Sequence, residues 1–371
     1  MDDRLTYQIA LSMLKGLSIS DASEIVSRFG SERAFFEASE SEVAALTNGV
    51  TSASSEANRK AALESASHEA EYALSHGIKP VYISDPSYPT RLADCQDAPL
   101  LIYCCGDCNL NSSHIVSIVG TRHATSYGIS FIKRLVEGLA RQIDDLVIVS
   151  GLAYGADITA HRAALACGVP TVAVMAHGLS TIYPAAHRQD AASIVGNGGM
   201  LLTEYRSDAF PARPNFLARN RIVAGLSDCT VVAESGFKGG SLSTARMASD
   251  YGRDVMALPG RTSDPYSVGC NNLIYTHRAA LIRDADDLLE QMNWQSGSTD
   301  EVNTAQPSLF AEPLTADEQA VVNFLTANAD STTSRMCAGL GMPVGRLMSV
   351  LIELEFKGRI LSYPGGRYTL A

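Results

Sequence analysis

The sequence predicts an α/β protein built around a doubly wound, mostly parallel sheet. Between residues 115 and 282, apolar runs of four to six residues recur without polar alternation, which is typical of strands buried on both faces. Segments of helical length separate the runs, so strands and helices alternate along the chain. The runs begin at Ile115, Leu146, Thr171, Thr230 and Val255.

The turns that follow these runs contain glycine, and several also carry arginine. Gly120-Thr121-Arg122 follows the first run and precedes a helical segment that opens at Ser126 and Tyr127, while Gly151 follows the second run. Ligands of doubly wound sheets bind outside the carboxyl ends of the strands, so these turns predict a phosphate-bearing ligand. The spacing matches neither the dinucleotide-binding Gly-x-Gly-x-x-Gly nor the Walker Gly-Lys-Ser, and we therefore expect no cofactor.

In chain order, the first predicted part is a small helical domain over residues 1–76, for which a helix-hairpin-helix-like or a sterile-alpha-motif-like module is expected. Ser20 is a candidate N-cap for a helix from Asp21 to Phe29, which Gly30 would end. The charge balance of this domain favours a scaffolding role over direct DNA binding.

The core domain is predicted over residues 77–290, and one cysteine cluster near its start has two interpretations. Cys105 and Cys108 have the Cys-x-x-Cys spacing of a metal site, with Cys95 and His114 nearby. A structural zinc site usually needs a second spaced pair, which is missing. A strand from Leu100 that ends in a Gly106-Asp107 turn is therefore the favoured interpretation, and no metal is expected.

Residues 291–313 are polar with little periodicity and predict a linker before a C-terminal domain over residues 314–371. Helical stretches over 315–327, 332–340 and 343–357 precede a hairpin at Pro364-Gly365-Gly366, which is a winged-helix pattern. The third helix carries both charge signs, so DNA contact and protein contact both stay open.

The distribution of charge permits a polyanionic ligand. The whole chain has a net charge of −11, yet residues 115–282 hold 15 Lys and Arg against 12 Asp and Glu. A net positive core between acidic flanks can present a basic groove. The sequence has no apolar leader after Met1 and no apolar run of membrane-spanning length, so we expect a cytoplasmic protein without a membrane partner.

A second basic motif surrounds Phe216. Asn215 is expected to cap a helix that runs to Leu226, which would place Phe216 in the first turn between Arg213 and Arg219. An aromatic ring flanked by arginines suits a stacked base with paired phosphates, although Phe216 could instead anchor the core.

Arg219 and Arg221 are two residues apart on this helix and cannot face the same phosphate. One of them is expected to serve structure, through backbone carbonyls or a carboxylate such as Glu234. A further glycine-rich loop, Lys238-Gly239-Gly240-Ser241, opens the next helix and predicts another anion cradle.

Together these motifs resemble the DNA-processing protein A family, also called DprA or Smf. The resemblance covers the core almost without gaps, and it extends to the helical N-terminal part and the winged C-terminal part. The motifs that carry it are Gly120-Thr121-Arg122, Ser150-Gly151, Gly178 to Pro184, Arg219-Asn220-Arg221, Gly252-Arg253-Asp254 and Leu258-Pro259-Gly260.

The resemblance implies an extended Rossmann fold that forms a homodimer, binds single-stranded DNA in a basic pocket and loads the RecA recombinase during natural transformation. It implies no covalent chemistry. The implied and inferred DNA-binding residues are Gly120, Thr121, Arg122, Ser126, Tyr127, Gly151, Arg213, Phe216, Arg219, Asn220, Arg221, Lys238, Gly239, Gly240 and Ser241.

Three positions depart from the family pattern. Ala156 stands where isoleucine is usual, and His177 stands where glycine is common and is expected to narrow the pocket. The segment from Tyr275 to Ala280 replaces a usual Gly-Ala ending, and its His277 and Arg278 are candidates for the basic rim.

Two other function classes stay open on the same fold. The first is a nucleotide-binding or nucleoside-monophosphate phosphoribohydrolase-like enzyme, for which Glu204 and Glu234 are candidate carboxylates. Pro259-Gly260-Arg261-Thr262 lacks the Pro-Gly-Gly-x-Gly-Thr loop of those enzymes, and neither carboxylate has an adjacent acid/base partner in the sequence. The second class is a scaffold that works through its terminal domains.

Overall fold

The computed structural model describes residues 3–14, 16–46, 55–294, 314–328, 331–363 and 366–370. The chain divides into two compact units, Met1–Ser298 and Thr299–Ala371, which are treated separately below. Residues 295–313 of the predicted linker lie outside the described residues, as do Pro364 and Gly365 of the predicted hairpin.

The described part of the first unit contains a nine-stranded sheet in the order β1-β2-β6-β5-β4-β3-β7-β8-β9. Strands β3 to β9 pair in parallel, while β2 pairs antiparallel with both β1 and β6. The strands are β1 Lys79–Tyr82, β2 Leu101–Gly106, β3 His114–Val119, β4 Leu146–Ser150, β5 Thr171–Val174, β6 Met200–Thr203, β7 Cys229–Val232, β8 Asp254–Ala257 and β9 Ala280–Leu281.

This strand order confirms the predicted doubly wound, mostly parallel sheet. From β3 the chain steps outward through β4 and β5 to β6, then returns across the sheet to β7 and steps outward the other way. The order therefore reverses between β3 and β7, and this switch point is where such sheets usually bind ligands.

Helices cover both faces of the sheet. The first unit contains α1 Asp3–Met13, α2 Ile19–Phe29, α3 Glu32–Glu37, α4 Glu40–Leu46, α5 Glu56–Ser75, α6 Thr90–Ala93, α7 Ser126–Ala140, α8 Ala156–Ala166, α9 Arg188–Gly196, α10 Arg213–Leu226, α11 Gly240–Asp250, α12 Val268–Tyr275 and α13 Ala285–Gln291. Within β4, Val147 and Val149 join the apolar core that contains α10, α11 and α12, whereas Leu146 and Ile148 join the core that contains α7, α8 and α13. Alternate residues of one strand thus enter two cores, which explains the absence of polar alternation.

The N-terminal helices pack on the outer edge of the sheet. Ile9 and Phe35 share an apolar cluster with Tyr82 of β1 and Tyr103 of β2. Ser18 rather than Ser20 caps α2, because its side chain accepts from the Asp21 amide while the Asp21 carboxylate accepts from the Ser18 amide. The helical part and the core lie in one compact unit, and the domain division at residue 76 stays a prediction.

The second unit has the winged-helix architecture. Its elements are α14 Ala316–Ala327, β10 Ser331–Thr332, α15 Thr333–Leu340, α16 Val344–Phe356, β11 Ile360–Tyr363 and β12 Arg367–Leu370. The strands form an antiparallel sheet in the order β10-β12-β11. Arg346 near the start of α16 pairs with Asp317, and Lys357 just after its end pairs with Glu318 at 2.6 Å.

The cysteine cluster near residue 105 lies in and after strand β2, as the favoured interpretation predicted. Within the described ranges, no group of three or more His, Cys, Asp or Glu residues is placed to hold a metal ion. No single helix in those ranges is long and apolar enough to cross a membrane, although the bent pair α15 and α16 passes the same test of length and composition.

The burial of the thiols leads to a labelling prediction. All eight cysteines are free; Cys167 is exposed, Cys105 and Cys337 are half-buried, and the remaining five, Cys95, Cys104, Cys108, Cys229 and Cys270, are buried. Burial raises the pKa of Cys95 to about 11 and that of Cys104 to about 12. Since the thiolate is the reactive form, N-ethylmaleimide at neutral pH should modify Cys167 first and the buried thiols only on unfolding in urea, as read by mass spectrometry. Cys167→Ser should remove the first adduct, and labelling of Cys104 as fast as Cys167 would contradict this packing.

Candidate nucleic-acid interface

The loops that follow the parallel strands meet at one edge of the sheet, which we call the carboxyl rim. It consists of residues 120–125, 151–155, 175–184, 204–212, 233–239 and 258–267, which follow β3, β4, β5, β6, β7 and β8. The predicted phosphate-binding turns after β3 and β4 both belong to it. They also touch, because a Cβ on Gly155 would lie 2.3 Å from the Thr121 carbonyl oxygen, so only glycine permits this approach.

The switch-point crevice between β3 and β7 is closed by Glu234. The Thr121 amide donates to the Glu234 carbonyl at 2.7 Å, and the Glu234 carboxylate accepts from the Thr125 amide at 2.7 Å and from the Thr125 hydroxyl at 2.6 Å. Gly128 in the first turn of α7 makes room for it, since a Cβ there would lie 2.3 Å from a carboxylate oxygen.

An internal carboxylate thus occupies the anion position at the N-terminus of α7, where a bound phosphate was expected. The expected role of this helix end is therefore corrected, because Glu234 is only 3% exposed and already fills it. Gly120, Thr121 and Ser126 lie around this closed crevice, and their contact with DNA stays a prediction.

Beside the closed crevice, two side chains from loops and one from the first turn of a helix meet on the surface. The Arg122 guanidinium lies over the Phe216 ring, 5.7 Å from its centroid, and the Tyr183 ring centroid lies 5.6 Å from that of Phe216. Arg122 is exposed, Tyr183 is 46% exposed, and Phe216 is half-buried rather than a core anchor. We call Arg122, Tyr183 and Phe216 the primary cluster.

The first turn of α10 brings Phe216 to this position. The helix begins at Arg213 with Pro214 in its first turn, where a missing amide proton costs no hydrogen bond. Ala212, and not Asn215, precedes the helix as its N-cap residue. Arg213 is exposed on the same turn, and among the described ion pairs none involves Arg213 or Arg122.

Arg219, one turn further along α10, is buried beneath the rim at 4% exposure. Its Nη1 donates to the Val174 carbonyl at 2.5 Å, and a Cβ on Gly151 would lie 1.9 Å from the same atom. Burial raises the pKa of Asp157, which the Arg219 charge opposes, and burial lowers the pKa of Arg219. Arg219 and Gly151 therefore form part of the packed floor, and the predicted DNA contact of Arg219 does not fit its burial.

Arg221 serves structure as well. It forms an ion pair with Glu204, and both side chains are 17% exposed. Burial raises the pKa of Glu204, and the Arg221 charge opposes that shift. The expectation that one of the two arginines bonds backbone or a carboxylate thus applies to both, with Glu204 in place of Glu234. Asn220 between them is half-buried.

The loop after β7 is exposed at Lys238 and Gly240, whereas the neighbouring Ser241 points inward. The Ser241 hydroxyl is buried and donates to Ser235 Oγ at 2.9 Å, and Gly239 packs so closely that a Cβ would lie 2.2 Å from that oxygen. Ser241 is thus engaged inside the loop. Tyr127 is 46% exposed and donates its hydroxyl to the Pro259 carbonyl at 2.7 Å.

The histidines at two of the positions that depart from the family pattern lie in different places, with His177 buried in the rim beside the Tyr183 backbone and His277 at the other end of the strands. His177 is 1% exposed, its Nδ1 lies 2.8 Å from the Gly178 carbonyl oxygen, and burial lowers its pKa. His277 and Arg278 follow α12 and line a surface pocket of about 410 Å³ with Asp254 and Ala280. Since Asp254 and Ala280 begin strands β8 and β9, this pocket lies at the amino ends of the strands, and the expectation that His277 and Arg278 extend the basic rim is wrong.

Sequence reasoning missed Tyr183 and the capping role of Glu234. Tyr183 was part of a recognised motif, and its exposed ring beside Pro184 was the available signal. Nothing in the local sequence links Glu234 to Thr125, because the contact joins loops from different strands.

Comparison with known proteins places this architecture in a family. A family model described as DNA recombination-mediator protein A matches residues 79–293, and a model described as DprA winged helix domain matches residues 304–366. Protein Smf of Escherichia coli is 34% identical over 282 residues, which cover 75% of this chain and 74% of that protein. DNA processing protein DprA of Streptococcus pneumoniae is 39% identical over 212 residues, which cover 57% of this chain and 73% of that protein.

Solved structures agree with this result. The crystal structure of DNA processing protein A from Streptococcus pneumoniae aligns with this chain at a TM-score of 0.63 and 31% identity, and the alignment covers 77% of this chain and 97% of that one. The structure of the Helicobacter pylori protein, described for its single-stranded DNA binding mode, covers 58% of this chain and 95% of its own, with a TM-score of 0.52 and 32% identity. This chain therefore belongs to the DNA recombination-mediator protein A family, also named DprA or Smf.

Proposed function

We propose that this protein binds single-stranded DNA on its carboxyl rim and loads the RecA recombinase onto that strand during natural transformation. The observation that carries the DNA-binding part is the primary cluster, in which an exposed arginine without a described ion pair lies 5.7 Å from the centroid of a half-buried aromatic ring. Membership of a family whose Helicobacter pylori member has a described single-stranded DNA binding mode supports the same conclusion.

The chemistry of the cluster fits a single strand better than a duplex. Phe216 and Tyr183 offer ring faces to unpaired bases, and Arg122 and Arg213 meet phosphate oxygens. The cluster contains no side chain set to read a particular base edge, so sequence preference should be weak. Around the cluster, the sugar-phosphate backbone is proposed to contact a set of rim residues. These are Gly120, Thr121, Ser126, Tyr127, Asn220, Lys238, Gly239 and Gly240.

No covalent step belongs to this proposal. Glu234 caps α7 through Thr125, and Glu204 pairs with Arg221, so each candidate carboxylate of the enzyme alternative already has a structural partner. A general acid or base must reach the reacting group with a free oxygen or proton.

Two further parts of the proposal, dimer formation and RecA loading, are based on the family to which the chain belongs. Two copies are proposed to associate so that their rims form a longer track, which light scattering across a concentration series would test. RecA loading would be tested by RecA ATP hydrolysis on single strands coated beforehand with single-strand-binding protein. Addition of this protein should shorten the lag before hydrolysis, and an unchanged lag despite tight DNA binding would remove the loading role.

Arg122→Ala and Phe216→Ala should each weaken DNA binding. With a labelled oligothymidine in fluorescence anisotropy, we expect an affinity loss of about tenfold for each, since a phosphate contact and a stacked base contribute on that order. If about four to six phosphates are met, the log-log salt slope should be about −3 to −4, and Arg122→Ala should reduce its magnitude by about 0.7. Phe216→Ala should leave the slope unchanged, because a ring carries no charge.

The matched control is Arg141→Ala. Arg141 follows the C-terminal end of α7, far from the rim, and its side chain is 74% exposed. The substitution removes the same charge from the protein and should leave affinity unchanged. Equal losses in Arg122→Ala and Arg141→Ala would mean that net charge, and not the primary cluster, governs binding.

Arg219→Ala should lower stability together with affinity. It leaves the buried Val174 carbonyl without the guanidinium that donates to it, at a cost of about 1 to 3 kcal/mol in the free energy of unfolding. Circular dichroism in a urea series would measure this loss, and Arg122→Ala under the same conditions should unfold like the wild type. Gly151→Ala should also destabilise, because its Cβ would overlap the Arg219 guanidinium. A fully stable Arg219→Ala with a reduced salt slope would instead place Arg219 in contact with DNA.

A further inference from the structure

The side chains of the adjacent residues Arg122 and His123 lie against two different aromatic rings. The Arg122 guanidinium lies over Phe216, while the ring of the next residue, His123, faces Tyr266 with centroids 6.3 Å apart and planes 28° from parallel. Phe216 belongs to the connection after β6, and Tyr266 belongs to the loop after β8. Since β6 and β8 lie on opposite sides of β3 in the sheet, the two groups flank the turn after β3.

The loop that carries Tyr266 is held in place by backbone hydrogen bonds. The Ser235 amide donates to the Tyr266 carbonyl at 2.7 Å, and the Gly269 amide donates to the Ser235 carbonyl at 2.8 Å. Tyr127 adds a third tie through its 2.7 Å bond to the Pro259 carbonyl. Tyr266 is half-buried and His123 is exposed, so one ring is anchored and the other is accessible.

Cations accompany these rings on the same loops. Lys238 follows β7 and Arg261 follows β8; both are exposed, and neither is in an ion pair among the residues that the structure describes. Gly236, near Lys238, would bring a Cβ within 3.6 Å of the Pro265 carbonyl, so the two loops adjoin. Asp264 is the exposed acidic residue of this loop, so the exposed side chains of the two loops hold two cations against one anion.

We propose that His123 and Tyr266 form a second base-stacking subsite for the same single strand, with Lys238 and Arg261 meeting its phosphates. The inference rests on the proposed function and extends it, because the strand would cross the rim over the turn after β3. The turn after β3 then lies between two pairs of stacking rings. Phe216 and Tyr183 of the primary cluster are on one side, and His123 and Tyr266, which we call the secondary cluster, are on the β8 side.

Another histidine and tyrosine pair in the chain provides a matched control. Tyr72 and His76 stack at 4.0 Å and 18° on α5, and His76 Nδ1 also lies 2.9 Å from the Tyr72 carbonyl oxygen. This pair arises within one helix, at the end that leads into β1 and away from the rim. His123 and Tyr266, by contrast, are brought together by two separate loops.

A length series of oligothymidines tests the subsite. Wild type, His123→Ala, Tyr266→Ala, Tyr266→Phe, Phe216→Ala and the control Tyr72→Ala would be titrated in fluorescence anisotropy. Oligomers that are too short to reach both clusters should bind to the wild type and to Tyr266→Ala with equal affinity. Longer oligomers should bind Tyr266→Ala and His123→Ala about tenfold more weakly than wild type, since a stacked base is lost. Tyr266→Phe keeps the ring and should bind like the wild type.

A photochemical measurement needs no substitution. Oligothymidine with 5-iodouracil at single positions would be irradiated with the wild-type protein, and the adducts mapped by mass spectrometry. Long oligomers should attach to His123 or Tyr266 at positions a few nucleotides from those that attach to Phe216 or Tyr183. Absence of any adduct on the secondary cluster, together with adducts on the primary cluster, would overturn the inference.

The outcomes separate this inference from the proposed function. If Tyr266→Ala and His123→Ala bind every length like the wild type while Phe216→Ala binds weakly, the secondary cluster is not a subsite and the proposed function stands. Equal loss at all lengths would mean that the two rings only support the rim, which also overturns the inference. If wild type binds no single strand at low salt, the proposed function fails and the subsite fails with it.

Discussion

The carboxylate of Glu234 at the N-terminus of α7 is the interaction on which the rim depends. It joins the turn after β3 to the turn after β7 and satisfies amide and hydroxyl donors that the helix start would otherwise leave unpaired. In many doubly wound proteins this position holds a phosphate, bound by backbone amides. Here the protein supplies its own anion, so in the proposed function phosphate would be met by exposed side chains such as Arg122 and not by the start of this helix.

The packed floor of buried residues around Arg219 lies below the surface and supports the rim. Arg219 faces Asp157, while burial lowers the pKa of His161 to about 3 and also lowers that of His177. At neutral pH both imidazoles are therefore uncharged and add shape, but no charge, to the floor. The exposed cations near the rim include Arg122, Arg213 and Lys238.

The sequence predicted the architecture well because buried parallel strands leave a strong local pattern. The helix that opens at Ser126 and the three helices of the winged unit lie where the sequence predicted them. Strands β1, β6 and β9 were missed, since none of them precedes a glycine-bearing turn. The candidate site was less predictable. Arg219 is buried and Arg122 is exposed, and Glu234 occupies the position where a phosphate was expected. The sequence could not predict either result, because each depends on contacts between segments that are distant along the chain.

The ion pairs of the winged unit have a consequence for how the protein responds to its surroundings. Arg346 and Lys357, the cations of the third helix, are paired with Asp317 and Glu318 at the start of α14. A paired cation displaces few counterions when it meets a polyanion, so that helix gains little affinity from dilute salt. Arg122 and Arg213, which have no such partner among the described ion pairs, would gain more. Under the proposed function, a change in ionic strength would alter the affinity of the core for DNA and leave contacts made by the third helix nearly constant.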